Sequence, residues 1–201
     1  MSLPRQEYRW VVTMTEPILG SQPGDKTLAQ AYIEGKIIEM TGEERPSDEV
    51  LPDLDKGTTG FYRMAKDDDR PCLMDYQVKA FLKETGGAFN GHRGVKNLRL
   101  KVDNFVMVRP RKVLLHIPEG GGITYLERPL RGMGPLGPRT ALARSEMLPE
   151  GTGFEVVLHV FEKGGIDEPM LRDLMEYGEY KGLGQWRNGG WGRFTSVLEK
   201  V

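Results

Sequence analysis

Cysteine is nearly absent from this sequence of 201 residues, since Cys72 is the only one. A single cysteine excludes an intramolecular disulfide and a zinc site built from several thiolates, which favours a reducing compartment. The sequence also lacks any apolar run of about 18 residues, and its first residues lack the apolar core of a secretion signal. We therefore expect a soluble, cytoplasmic protein.

The composition predicts one packed domain over residues 1–201. Hydrophobic residues make up 38% and charged residues 28%, which is enough apolar surface for an ordinary core. The 26 glycines and 13 prolines are scattered, so we expect long ordered loops rather than a linker. The largest of these is residues 118–153, a Gly-, Pro- and Arg-rich insertion with little periodicity.

The net charge of −1 conceals blocks of opposite sign. Residues 16–69 carry 13 acidic and 6 basic residues, residues 89–144 carry 11 basic and 3 acidic residues, and residues 145–180 carry 9 acidic and 2 basic residues. Such blocks favour opposed faces or head-to-tail self-association into a homo-oligomer. Chance clustering in solvated loops is the alternative.

Periodicity predicts an α+β fold. Alternating apolar residues predict strands, and residues with apolar side chains three and four apart predict helices. The predicted order is strand, helix, strands, strand, helix, strand, which is typical of a ferredoxin-like (RRM-like) antiparallel sheet with two main helices. The predicted strands are Tyr8–Met14, Leu98–Val102, Phe105–Val108, Val113–Ile117, Phe154–Phe161 and Arg193–Leu198.

Cap residues define the predicted helices and the loops between them. Asp25 precedes a short helical pattern, Asp75 is expected to cap a helix that ends at Glu84 before Thr85-Gly86-Gly87, and Asp167 is expected to cap another. Residues 42–70 are acidic and rich in Gly and Pro, so they are expected to form a long loop. Asp103-Asn104 is expected to be a turn between two strands.

The segment Gly182–Arg193 is the most informative part of the sequence. Five glycines between a helix and a strand favour exposed backbone N–H groups that bind an anion. Arg187 and Arg193 suit phosphate, and Trp186 or Trp191 suits stacking on a base. A tight loop with both indoles packed in the core is the alternative. The segment is neither a Walker loop nor a dinucleotide fingerprint.

Two motifs resemble the RAMP superfamily, the RRM-like proteins of CRISPR effector complexes. Leu183-Gly184 and Gly190-Trp191-Gly192-Arg193 match the glycine-rich loop that precedes the last strand of that family. Arg70–Lys83 resembles the motif that opens the first main helix of the backbone subunit. Matching residues there are Pro71, Leu73, Val78, Lys79, Leu82 and Lys83, whereas Cys72 and Met74-Asp75-Tyr76 depart from the pattern.

The resemblance implies single-stranded RNA, or DNA, held along a head-to-tail filament. Lys79 and Lys83 would contact the nucleic-acid backbone, the glycine-rich loop would support it, and residues 93–112 or 118–145 would form a thumb-like element. The compact length and Gln185–Asn188 also resemble uncharacterised phage relatives. The candidate nucleic-acid-binding residues are Lys79, Lys83, Arg93, Lys96, Arg109, Arg111, Lys112, Arg128, Arg131, Arg139, Arg144, Gly182, Gly184, Trp186, Arg187, Gly190, Gly192 and Arg193.

No catalytic residue, metal or cofactor is expected. Some members of the family cut RNA with an aspartate before the helix motif, but the matching position falls near Thr58, and the nearest acidic residues are Asp53 and Asp55. Other branches use histidine, and His92 lies in a basic setting suited to acid–base work. Three hypotheses therefore stay open: non-catalytic binding of single-stranded nucleic acid, a metal-independent endoribonuclease that uses His92, and a viral assembly protein that no longer binds nucleic acid. Asp55 is a further candidate for a catalytic residue.

Overall fold

The computed structural model describes residues 3–23, 58–64, 69–134 and 137–201, with side chains described outside residues 130–142. The helix expected after Asp25, and Asp53 and Asp55, lie outside these residues. The chain divides into two compact units. The larger comprises Met1–Ile18, Tyr62–Gly122 and Leu148–Val201, and the smaller comprises Leu19–Phe61 and Ile123–Met147.

Twelve strands and three α-helices form within the described residues. In chain order they are β1 (Arg5–Met14), β2 (Ile18–Leu19), β3 (Gln22–Pro23), β4 (Thr58–Gly60), β5 (Tyr62–Met64), β6 (Arg70–Met74), α1 (Asp75–Ala88), α2 (Leu98–Phe105), β7 (Val106–Arg109), β8 (Lys112–Leu114), β9 (Thr124–Gly134), β10 (Gly137–Leu148), β11 (Gly153–Phe161), α3 (Glu168–Lys181) and β12 (Phe194–Lys200).

The mixed α+β class is confirmed. In the larger unit a four-stranded antiparallel sheet has the order β12-β1-β11-β7. Tyr8, Trp10, Val12 and Met14 of β1 are all buried, as their alternation predicts. The two central strands, β1 and β11, pair over Arg5 to Thr13, so the best predicted strands form the centre of the sheet.

An aromatic cluster joins this sheet to α1. The Trp10 ring lies 6.0 Å from Phe81, 6.0 Å from Phe154 and 5.9 Å from Phe194, measured between ring centroids. Aromatic contacts at this separation add to the free energy gained by burying the rings. The core therefore lies between the buried face of the sheet and the apolar face of α1.

The helix α3 forms as the sequence predicts. The Asp167 side chain accepts a hydrogen bond from the Met170 N–H at 2.9 Å, which satisfies one of the donors that a helix start leaves without a partner. Leu171, Leu174 and Met175 are buried, as their spacing predicts.

The helix α1 differs from the prediction at both ends. Met74 is its N-cap, whereas Asp75 is the first helical residue and accepts from the Tyr76 N–H at 2.8 Å. The helix continues past Glu84 to Ala88 because Thr85 and Gly86 are buried and the Thr85 hydroxyl donates to the Leu82 carbonyl. The glycine C-cap predicted at Thr85-Gly86-Gly87 is therefore wrong.

The strand predicted at Leu98–Val102 is wrong, because these residues begin helix α2. Leu98, Leu100 and Val102 alternate as in a strand, but Leu98 and Val102 also lie four residues apart. The helix buries both of them and leaves Leu100 60% exposed. Asp103-Asn104 lies inside α2 and is not a turn.

The remaining strand predictions fall on strands with shifted ends. The strand predicted at Phe105–Val108 is β7, which runs from Val106 to Arg109. The strand predicted at Arg193–Leu198 is β12, which runs from Phe194 to Lys200. β8 covers only the start of Val113–Ile117, and His116 adds an isolated bridge to Gly153.

Two predicted loops contain strands instead. Within residues 42–70, β5 pairs with β6, which in turn pairs with β8, and β4 lies in the smaller unit. Within residues 118–153, β9 and β10 form a long antiparallel hairpin. Backbone hydrogen bonds stabilise such a hairpin whether or not its side chains alternate between apolar and polar, so the Gly- and Pro-rich sequence concealed it.

Candidate nucleic-acid interface

The glycine-rich segment is closed at its base by backbone hydrogen bonds. The Leu183 N–H donates to the Gly192 carbonyl at 2.8 Å, and the Gly192 N–H donates to the Pro17 carbonyl at 2.9 Å. Gly192 has φ of +70°, and a Cβ there would lie 1.9 Å from the Leu183 carbonyl oxygen. Only glycine permits this approach, so Gly192 is required by the backbone geometry.

The tip of the segment is a 3-10 turn, Arg187–Gly189, that uses more of the backbone donors. The Gly189 N–H donates to the Trp186 carbonyl at 2.7 Å, and the Gly190 N–H donates to the Arg187 carbonyl at 2.9 Å. These amides, like those of Leu183 and Gly192, are bonded within the protein. Trp186 and Trp191 are half-buried. The segment is therefore a tied loop, in which these four amides do not face an anion.

Arg187 is held by α1. Its guanidinium donates to Glu84 at 2.7 Å, and the Lys181 ammonium lies 3.1 Å from the other Glu84 oxygen. Burial is the largest single effect on the pKa of Glu84 and raises it, but the hydrogen bonds from Arg187 and Lys181 together outweigh burial and lower the pKa. Arg193, by contrast, is exposed.

Lys79 and Lys83 of α1 are also engaged within the protein. The half-buried Lys79 ammonium donates to the Val106 carbonyl, and burial lowers the pKa of Lys79. Lys83 lies 2.8 Å from Asp103 of α2. Each ammonium therefore already uses part of its hydrogen-bonding capacity within the protein.

Exposed cations cluster where β7 ends and β8 begins. Arg109, Arg111 and Lys112 are all exposed there, within four consecutive residues. The Asp75 N–H donates to the Arg111 carbonyl at 2.8 Å, which ties the turn to the first residue of α1. Residues 109–112, which are the end of β7, the turn and the start of β8, are named here the 109–112 strip. All three cations are among the residues that the sequence predicted, and all three are exposed.

Tyr76, beside the 109–112 strip, is a candidate that sequence reasoning missed. Its side chain is 48% exposed, and its hydroxyl lies 2.6 Å from that of Tyr62. Burial, followed by this hydrogen bond, raises the pKa of Tyr76 to about 12, so the phenol stays protonated at neutral pH. The one feature of the sequence that could have pointed to Tyr76 is that Met74-Asp75-Tyr76 departs from the pattern of the family.

His92 is part of a small charged cluster away from the glycine-rich segment. Its Nε2 lies 2.7 Å from Asp173 of α3, and Arg93 donates to the same carboxylate oxygen at 2.5 Å. A hydrogen bond from Arg93, joined by one from His92, lowers the pKa of Asp173. Lys96 is exposed nearby in the sequence.

The four candidate arginines of the insertion lie in the β9–β10 hairpin. In the backbone register of the hairpin, Arg128 lies opposite Ala143, and Arg144 lies opposite Glu127. The Arg144 guanidinium lies 4.0 Å from the centre of the Tyr125 ring and 3.2 Å from the Glu127 carboxylate. Arg131 and Arg139 occupy ladder positions opposite Thr140 and Gly132, and their side chains lie outside the described set.

Within residues 3–23, 58–64, 69–134 and 137–201, no group of three or more His, Cys, Asp or Glu residues comes together as metal ligands. None of the helices found there has the length and apolar character needed to cross a membrane.

Comparisons with known proteins connect the fold to CRISPR complexes. No protein-family model and no curated protein matches the chain. A chain in the cryo-EM structure of the Type III-B Cmr-beta bound to cognate target RNA is similar, with a TM-score of 0.57 and 12% identity over 98% of this chain. This protein spans 61% of the length of that chain. A chain of a Type IV-B CRISPR complex has a TM-score of 0.46 and 15% identity, over 96% of this chain and 90% of the other.

Proposed function

We propose that the protein is a RAMP-like subunit that binds single-stranded nucleic acid, RNA in preference, without cutting it. The order β1-α1-β7-β11-α3-β12 with spatial order β12-β1-β11-β7 supports a ferredoxin-like core. The likeness of fold to a chain from an RNA-bound Cmr complex supports RNA as the ligand.

The observation that carries the proposal is the 109–112 strip. Its three exposed cations lie on Arg109, Arg111 and Lys112, and a backbone hydrogen bond ties Arg111 to α1, so they offer a short track for consecutive phosphates. Neutralising phosphates releases counterions, and this drives binding that depends on salt rather than on sequence. Lys79 and Lys83, whose ammonium groups have protein partners, take a secondary role.

The glycine-rich segment contributes mainly as a support. Its closed backbone leads to exposed Arg193 immediately before the first residue of β12, while Arg187 stays paired with Glu84 until a phosphate replaces the carboxylate. The β9–β10 hairpin, with Arg128 and Arg144, is the candidate for the thumb-like element.

The test is the salt dependence of RNA binding. We expect the double variant Arg111→Gln/Lys112→Gln to lower affinity for a labelled single strand and to reduce the slope of log K against log salt by about 1.4 units, about 0.7 for each lost phosphate contact. Lys163→Gln/Lys200→Gln, which removes two exposed cations elsewhere, is the matched control. Equal slopes for both double variants would contradict the proposed track.

Self-association is a second part of the proposal. β7 and β12 are the outer strands of the four-stranded sheet, and edge strands present backbone donors and acceptors that another chain can pair with. A head-to-tail oligomer would show in light scattering as a mass that increases in steps with RNA length. A constant monomeric mass on long RNA would refute this part.

An endoribonuclease is the alternative function, favoured by one contact. Asp173 holds the His92 imidazole at 2.7 Å, an arrangement that orients a histidine for acid–base catalysis. Cleavage of single-stranded RNA in the presence of EDTA that is lost in His92→Ala, but kept in His116→Ala, would establish it. Absence of both binding and cleavage would instead favour an assembly protein.

A further inference from the structure

A surface cavity lies beside the 109–112 strip and differs from it chemically. It has a volume of about 360 Å³, and its lining includes Asp75, Tyr76, Lys79, Asp103, Met107 and Arg109. The volume is sufficient for a single nucleobase. The lining combines one aromatic ring, one exposed apolar side chain, two carboxylates, a guanidinium and the Lys79 ammonium, which donates to the Val106 carbonyl. Its chemistry therefore has to be assigned separately from that of the phosphate track.

Tyr76 provides a fixed flat surface. Its hydroxyl is 2.6 Å from the Tyr62 hydroxyl, and the two rings meet edge to face with centroids 6.4 Å apart. An aromatic ring that is 48% exposed and anchored at its polar end is suited to stacking on a base, because every base has a π-face.

Asp75 and Asp103 determine which kind of ligand group the cavity can bind. Asp103 is paired with Lys83 at 2.8 Å, whereas Asp75 uses Oδ1 to accept from the Tyr76 N–H. A carboxylate accepts more than one hydrogen bond, so Asp75 retains capacity for a ligand donor. Lys79 and Arg109 balance the two carboxylates, so the lining as a whole does not favour an anion, whereas an uncharged group with N–H donors can bond to Asp75.

We propose that this cavity binds one nucleobase that carries an exocyclic amino group, in preference to uracil. Tyr76 stacks on the base, Asp75 accepts a hydrogen bond from its amino group, and Arg109 neutralises the adjoining phosphate. The inference rests on the proposed binding of single strands, and adds a base preference to a track that is otherwise indifferent to sequence.

The experiment compares labelled oligo(C) and oligo(U) of equal length at slightly alkaline pH, where oligo(C) remains single-stranded. Both are pyrimidine strands, but cytosine presents an amino donor where uracil presents a carbonyl acceptor. We expect the full-length protein to bind oligo(C) roughly tenfold more tightly, the effect of one hydrogen bond to a charged group. Asp75→Asn should reduce this ratio to about one, because an amide can serve either base.

Matched variants separate stacking from hydrogen bonding. Tyr76→Ala should weaken both oligonucleotides to a similar extent, and Tyr76→Phe should retain most of the affinity, because it keeps the ring. Glu176→Gln and Tyr180→Ala, exposed positions on α3, should leave the ratio unchanged. Thermal unfolding of each variant shows that it is folded.

The outcomes distinguish this inference from the proposed function. Tight but equal binding of both oligonucleotides would overturn the base preference and leave the phosphate track standing. No binding of either would overturn both. A preference for oligo(C) that persists in folded Asp75→Asn would refute the role of Asp75.

Discussion

Arg187, at the tip of the glycine-rich segment, donates to Glu84 of α1 at 2.7 Å. Lys181, at the end of α3, shares the same carboxylate at 3.1 Å. One acidic residue thus links the loop, α1 and α3 through two cations. The contact has two consequences: it holds the loop in place, and it competes with any phosphate for Arg187.

Glu84→Gln should therefore strengthen RNA binding while slightly weakening the fold. The Glu84 side chain is 40% exposed, and such ion pairs contribute about 0–1 kcal/mol, which bounds the gain in affinity at about fivefold. Fluorescence anisotropy with a labelled single strand measures the gain, with Glu176→Gln as the control. A lower affinity in Glu84→Gln would show that the carboxylate positions Arg187 for the ligand.

The ion pair between Glu84 and Arg187 also predicts that the stability of the protein depends on pH. Because the pKa of Glu84 is lower in the folded protein than its ordinary value of 4.5, the stabilisation is complete above that value. It is lost as the pH falls through the lowered pKa. The difference in free energy of unfolding between the wild type and Glu84→Gln should thus disappear in acid. A difference that grows in acid would contradict this assignment.

Gly192→Ala should be far more damaging than Gly94→Ala. Both glycines have positive φ, +70° and +77°, so both substitutions cost about 1–2 kcal/mol of backbone strain. At Gly192 the new Cβ would also lie 1.9 Å from the Leu183 carbonyl oxygen, whereas at Gly94 nothing lies within 4 Å. Urea denaturation should show a clearly larger loss at Gly192, and equal losses would refute the tight closure of the loop.

The sequence predicts those elements whose local pattern and tertiary role agree. The alternation in β1 is compatible only with a strand, and Asp167 followed by an apolar helical stripe is compatible only with a helix start. Both predictions are confirmed. Leu98–Val102 fits a strand and a helix equally well, and only packing decides between them. The β9–β10 hairpin is held by backbone pairing, which leaves no hydrophobic period in the sequence.

The candidate site was predictable in composition but not in geometry. The sequence shows that Lys79 and Lys83 lie one helical turn apart. It cannot show that their ammonium groups bond to the Val106 carbonyl and the Asp103 carboxylate. Those partners come from a segment distant in the sequence. Tyr76 was missed for the same reason, because its exposure depends on how β5 and the 109–112 strip surround α1.

Gly178→Ala should destabilise the protein although alanine favours helices. Gly178 lies in α3 where that helix meets α1, and a Cβ there would lie 2.4 Å from Cζ of Phe81. Gly87→Ala in α1 is the matched control, since its Cβ would meet only Arg99 at 3.7 Å. We expect Gly87→Ala to raise the free energy of unfolding by about 0.5–1 kcal/mol and Gly178→Ala to lower it. A stabilised Gly178→Ala would show that the helices are not in close contact at this point.

Lys79→Met tests whether the Lys79 ammonium affects mainly the stability of the protein or mainly its affinity for RNA. Burial lowers the pKa of Lys79 below 10.5, so the folded protein binds its proton less well than the unfolded chain does. The charge therefore costs stability at neutral pH, and the cost is relieved as the pH rises towards 10.5. Methionine preserves the apolar stem and removes the charge, so we expect the variant to be at least as stable as the wild type at neutral pH.

That difference in the free energy of unfolding should narrow in urea titrations as the pH rises towards 10.5, because the folded protein loses this proton more readily than the unfolded chain. RNA affinity should stay within about twofold, because the ammonium already bonds to the Val106 carbonyl, whereas Arg111→Gln should lower affinity several-fold with little effect on stability. If Lys79→Met instead lost as much affinity as Arg111→Gln, the lysine would leave Val106 for a phosphate on binding, and the track would extend from the 109–112 strip along α1.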